Sequence, residues 1–274
     1  MFAVVAQLPV ASRSGPGYWT LSRGPMASLA LIAPLLLFYE GGVLWLGPQA
    51  IRNGADVWLR GLLDLLGFGH YFLLPSLTVA ALLVWHHLSG APWRLPPRVC
   101  GGMILESTLL AVCLLGLAQV QGRLLPMIGV APSSVRDHEI AGAGPRGASE
   151  GEEKLLPTAS VSSHREPAMS RLVAFLGAGI YEEALFRLML LPAAMAVLER
   201  LGLARAASVL WSVALTSVLF ALAHYLGPHG DAWQAYSFVF RTLAGAFFAL
   251  LFVYRGFGVT AGAHAGYDIL VGLC

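Results

Sequence analysis

Charge is what this sequence has least of. Asp, Glu, Lys and Arg make up 12% of its 274 residues, against about 25% in an average soluble domain. Apolar residues make up 57%. That balance excludes an ordinary soluble domain and bulk disorder, and puts the chain among membrane proteins. The net charge is only +2, so a nucleic-acid surface is not expected. Cysteine is scarce: Cys100, Cys113 and Cys274 are an odd number at apolar or terminal sites. They form neither a disulfide framework nor a CxxC metal site. HExxH is absent, which removes the common zinc-peptidase pattern. Tyr267-Asp268 has no GxGD partner, so the intramembrane aspartyl site is not met. No internal repeat is visible, which gives no support to an inverted-repeat transporter.

Long apolar runs are what the chain does have. A bilayer core needs about 20 mostly apolar residues per helix. Seven segments qualify, near 27–47, 71–88, 99–121, 172–198, 206–228, 233–254 and 256–273. The expected fold is therefore an all-α, polytopic transmembrane bundle. In residues 51–67, Leu59, Leu62, Leu63 and Leu66 recur at helical spacing around Arg60 and Asp64. This predicts an interfacial amphipathic helix, with an eighth span as the other reading. The opening MFAVVAQLPVAS lacks a basic n-region and is read as a mobile tail. Residues 122–170 are rich in Gly, Ser and Pro and hold Glu150, Glu152 and Glu153, which predicts a polar, flexible loop. It divides an N-terminal three-span region (1–121) from a C-terminal four-helix core (171–274). A GxSxG match at Gly147–Gly151 falls in this loop without strand or helix context and is taken as chance. Basic residues in the short loops favour a cytoplasmic N-terminus; the long loop offsets that bias when counted in full. The expected location is the plasma membrane of a bacterium.

Ionisable groups inside a span cost roughly 2.5–3.5 kcal/mol each and usually mark function. The fourth segment, GIYEEALFRLML, holds Glu182, Glu183 and Arg187 in the middle of an apolar run. Glu183 and Arg187 are four apart and can pair on one face. Glu182 sits about 100° further round and needs another partner. The fifth segment places Phe220 and His224 four apart, and the last does the same with His264 and Asp268. The latter spacing suits a His oriented by a carboxylate, or two ligands from one turn. Glu40 and Glu106 are isolated in the sequence and are read as structural or interfacial. Arg241 either snorkels or counters the carboxylates. His86 and His87 stand at a span end and are read as interfacial.

The ordered trio EExxxR (Glu182-Glu183-Ala184-Leu185-Phe186-Arg187), FxxxH (Phe220 to His224) and HxxxD (His264 to Asp268) resembles the CPBP family of intramembrane proteases, the CAAX protease and bacteriocin-processing family (Abi), which includes type II CAAX prenyl endopeptidases. The resemblance covers about residues 170–272. It implies an endopeptidase acting on a membrane-associated peptide or protein, lipidated in the eukaryotic members, with membrane lipid as its surroundings. Carried onto this chain, Glu182 would activate water with His224 assisting. His264 and Asp268 would complete the site, with Glu183 and Arg187 in support. Such chemistry needs a base for water and a stabiliser for the tetrahedral oxyanion.

One position departs from the family, which commonly has Asn where this chain has Asp268. A neutral Asn can donate to an oxyanion and an ionised Asp cannot. Asp268 would then be protonated, orient His264, or bind a metal. His224, His264 and Asp268 would make an acceptable zinc set with an open position. A metal-free glutamate mechanism stands beside that reading. Two other classes remain in view. One is a non-catalytic binding, immunity or carrier protein on the same scaffold. The other is a b-type cytochrome with His224 and His264 as haem ligands, which leaves Glu182 and Glu183 without a task.

Overall fold

The computed structural model describes residues 17–47, 50, 52–130, 168–227 and 230–273. These residues are mostly helical and include no strand. The expected tail, most of the expected polar loop with its GxSxG match, and Cys274 lie outside the described residues. In chain order the helices are α1 (Tyr18–Leu21), α2 (Pro25–Leu46), α3 (Gly54–Leu65), α4 (Leu73–Ser89) and α5 (Pro97–Leu124). Then come α6 (Ala168–Gly177), two π-helical stretches (Ala178–Glu182 and Ala184–Leu190), α7 (Leu191–Arg200), α8 (Arg205–Ala223), α9 (Ala235–Arg255) and α10 (Phe257–Leu273).

Among the described residues, four helices are long and apolar enough to cross a membrane: α2, α5 with its 3₁₀ continuation to Ile128, α8 and α9. The other three expected spans take different forms. α4 and α10 have 17 residues each, about 25 Å at 1.5 Å per residue, somewhat short of a core about 30 Å thick. The fourth expected span is the composite of α6, the π-helical stretches and α7. The third expected span, ended at residue 121 in the sequence reading, continues as helix to Leu124. Pro at the first position of α2 and of α5 starts each helix without wasting a backbone donor.

α10 is the central helix, packed by α2, α5, α6, α9 and the first π-helical stretch. Small residues make this approach close. A Cβ on Gly262 would stand 2.7 Å from Ser107 Oγ, and one on Gly179 would stand 2.7 Å from Ala265. Phe257, Ala261 and Ala263 are wholly buried in these contacts. α9 turns into α10 at Gly256, whose φ of 82° suits glycine and whose Cβ would meet the Arg23 carbonyl oxygen at 2.8 Å.

The leucine stripe expected along 51–67 is split. Leu59 faces the core and Leu63 packs partly buried against it, whereas Leu62 and Leu66 are exposed. Arg60 does not lie on a solvated face. It reaches inward to Asp56 (2.6 Å) and Glu40 (2.9 Å). Burial of this cation is tolerable because two carboxylates meet it. Glu40 is therefore not isolated, and it also accepts from Tyr181 Oη. Glu106 is likewise paired. It accepts from Arg255 and from Tyr18 Oη (2.6 Å), while Arg255 also donates to Ser22 Oγ (2.8 Å). These residues pin α1, α5 and the α9–α10 corner at the end of the bundle opposite α3. His86 is buried edge-on to Trp93 rather than at an exposed interface.

The corner at Gly256 is the most demanding backbone position. Gly256→Ala is expected to lower stability by about 1–3 kcal/mol, from strain at positive φ and the clash with Arg23. Chemical denaturation in detergent micelles, followed by tryptophan fluorescence, measures it.

Candidate active site

The composite α6–α7 run carries the first cluster of charge. Within it the backbone widens from α to π geometry at Ala178–Glu182 and again at Ala184–Leu190. Such π segments are rare and are frequent at functional sites. Glu183 and Arg187 still meet, with Nε to Oε2 at 3.1 Å, and both are almost wholly buried. Arg187 also donates to the Gly245 carbonyl at 3.0 Å. Its guanidinium lies 4.4 Å from the centroid of the Phe220 ring and 5.6 Å from that of Phe248. The cation is thus held by one carboxylate, one carbonyl and aromatic faces, which replace its water.

The other oxygen of Glu183 faces α10. His264 Nδ1 lies 2.7 Å from Glu183 Oε1, and the His264 ring stacks on Phe248 at 4.5 Å. With Nδ1–H given to Glu183, Nε2 is the nitrogen turned toward the remaining site. It stands 3.6 Å from Asp268 Oδ2 and 3.9 Å from Glu182 Oε2. The carboxylate that orients His264 is therefore Glu183, not the neighbour four residues on. Sequence spacing alone favoured Asp268 because the Glu183 contact joins positions 81 residues apart.

His224 owes its position to the end of α8. That helix stops at Ala223, and His224 caps it. The last carbonyls of a helix lack helical partners. The Phe220 carbonyl accepts from His224 Nδ1 at 2.8 Å, which fixes the ring and leaves Nε2 facing Glu182 Oε2 at 3.9 Å. The FxxxH spacing therefore has a backbone reason as well as a chemical one.

Glu182 is the point where these elements meet. Its Oε2 is buried without a hydrogen-bond partner among the described residues, 3.9 Å from each of two imidazole nitrogens. Its Oε1 accepts from Asn53 Nδ2 at 2.6 Å. Asn53 is the residue that sequence reading missed. It signals only a helix start, and nothing local announces a contact 129 residues away. A cavity of about 490 Å³ opens beside the cluster, lined by Glu182, His224, Asp268 and Asn53 together with apolar Trp58 and Phe186. Arg241 does not counter the clustered carboxylates; it pairs with Asp231, which follows α8 and lines the same cavity.

The expected metal set does not assemble. Among the described residues no group of three His, Cys, Asp or Glu side chains is arranged to hold an ion. His224, His264 and Asp268 as placed do not fit a metal. What the cluster offers is an oxygen base, two ring nitrogens and a cavity open to a reacting group.

Residues 165–270 match the family model for type II CAAX prenyl endopeptidase Rce1-like proteins. This segment is similar to Rce1-like domains. The match spans less than half of the chain and contains Glu182, Glu183, Arg187, His224, His264 and Asp268. No curated protein and no solved structure is significantly similar to the chain. Asn53 lies outside the matched segment, so the cluster around Glu182 draws on both halves of the molecule.

Removing Glu183 would leave Arg187 buried with only a carbonyl and aromatic rings. Glu183→Ala is expected to destabilise the bundle by about 3–5 kcal/mol. Unfolding in detergent measures the loss, and unchanged stability would refute the pairing.

Proposed function

We propose that the protein is an intramembrane endopeptidase of the CAAX prenyl protease type, using Glu182 as the base for water. The observation that carries this reading is the spacing around Glu182 Oε2. Separations of 3.9 Å to His224 Nε2 and His264 Nε2 are too long for direct hydrogen bonds. They suit a water held between the groups. In that position the water oxygen attacks the scissile carbonyl carbon and its proton passes to Glu182. The C–N bond then breaks, and the proton moves from Glu182 to the leaving amine. His264, held at Nδ1 by Glu183, and His224, held by the Phe220 carbonyl, present fixed nitrogens to the reacting centre. Protonated on both nitrogens, His264 donates Nε2–H to the carbonyl oxygen as charge develops there, and its fixed orientation avoids reorganisation. Asp268 closes the far side of the cavity beside His264.

The substrate in this reading is a membrane-associated peptide or protein. The cavity has a polar end at Glu182 and apolar walls at Val57, Trp58, Phe175 and Phe186. A lipidated peptide fits it, with its chain along those walls and its peptide bond at Glu182. The protein works as an integral membrane protein of a bacterial plasma membrane. The cavity opens at the α3 end of the bundle, opposite α1. With the N-terminus in the cytoplasm, as the short loops favour, it faces the outer side.

Cleavage of a quenched prenyl-peptide in detergent tests the reading. Glu182→Gln and His264→Ala are each expected to lower kcat by about 10²–10⁴-fold while leaving insertion and folding intact. Activity is expected to survive a chelator. Loss of activity with recovery on added zinc would assign a metal instead. A folded wild type that cleaves neither this peptide nor mixed membrane-protein substrates would favour a binding role on the same scaffold.

A further inference from the structure

Asn53 holds two jobs with its two amide atoms. Its Oδ1 accepts from Ala55 N–H at 2.8 Å and caps α3. That bond decides which way the amide faces. The Nδ2 group is consequently turned toward Glu182 Oε1, at 2.6 Å. Capping and contact with the carboxylate are thus one rotamer. With Oε1 engaged, Oε2 is the oxygen that remains for the imidazoles and the cavity.

α3 is itself fixed by a ring of buried polar contacts that returns to the same place. Asp56 accepts from Tyr39 Oη (2.9 Å), Arg52 (3.1 Å) and Arg60 (2.6 Å). Arg60 donates to Glu40 at 2.9 Å. Glu40 accepts from Tyr181 Oη, and Tyr181 directly precedes Glu182. Glu182 is therefore approached from both sides by α3, once through Asn53 and once through the Asp56–Arg60–Glu40–Tyr181 chain. A carboxylate gripped in this way loses less freedom when the reaction begins.

We propose that Asn53 is a positioning residue for Glu182, making the start of α3 an integral part of the active site although it lies outside the segment that matches the family model. The kinetic half of this inference rests on the peptidase reading; the hydrogen-bond half does not.

The test uses substitutions that separate the two jobs. Asn53→Ser keeps an oxygen for the cap and removes the amide donor. Asn53→Asp also keeps the cap, and it sets a second carboxylate against Glu182. In full-length protein, Asn53→Ser is expected to lower kcat roughly 10–100-fold, as misplacement of a catalytic group does elsewhere, with a smaller change in KM, because the lost donor serves Glu182 while the apolar walls of the cavity are kept. Asn53→Asp is expected to lose more than Asn53→Ser. A residue that only caps α3 would leave kcat unchanged in both variants, and that result would overturn the proposal. A thermal-stability cycle gives a readout free of catalysis. Asn53→Ser should lower Tm in the wild-type background and have no effect in Glu182→Ala. Equal effects in both backgrounds would overturn the proposal even where cleavage is seen. Coupling in the cycle with no cleavage by wild type would support the clamp on Glu182 and reject the peptidase reading alone.

Discussion

The buried ion pair between Arg187 and Glu183 is the constraint on which the site depends. A guanidinium in an apolar bundle is unstable without a partner. Glu183 neutralises it, and the same carboxylate has a second oxygen to spare for His264. One need of the bundle thus becomes an alignment device. Arg187 fixes Glu183, Glu183 fixes His264, and His264 turns Nε2 toward Glu182. The aromatic faces of Phe220 and Phe248 complete the support, one against the guanidinium and the other against the imidazole.

The same physics recurs at two places outside the site. Arg60 is matched by Asp56 and Glu40, and Arg255 by Glu106. Each group joins helices distant in sequence, because the only economical answer to a buried charge is an opposite one on a neighbouring helix. The Arg255 group closes the bundle at the end of α1. The Arg60 group holds α3 against α2 and the π-helical stretch at the other end. This second group explains why an amphipathic helix that could have lain loosely on the membrane surface is instead part of the wall of the cavity.

Helix ends carry two of the site's contacts. A helix terminus leaves backbone groups without partners, and polar side chains placed there settle into fixed rotamers. His224 serves the end of α8 through the Phe220 carbonyl, and Asn53 serves the start of α3 through Ala55 N–H. Each side chain has one polar atom committed to the backbone and another turned toward Glu182. Two residues that look ordinary as caps thereby become reporters of the same carboxylate.

The sequence by itself determined the all-helical membrane class, the runs that became α2, α5, α8 and α9, and the Glu183–Arg187 pair. Those features are periodic or local. Hydrophobic length and i,i+4 spacing are properties of a single helix and need no neighbours. It also singled out Glu182, His224, His264 and Asp268, because charge in an apolar run is conspicuous wherever the run packs. The tertiary structure decided which of them touch. It gave His264 to Glu183 rather than to Asp268, sent Arg241 to Asp231, and found partners for Glu40 and Glu106. It split the leucine stripe of α3 and turned Asp56 and Arg60 inward. It also brought Asn53 to Glu182, a contact that no spacing rule could express. Partner choice between helices depends on how the bundle closes around α10, and that closure is set by small residues and buried charges acting together across the described helices.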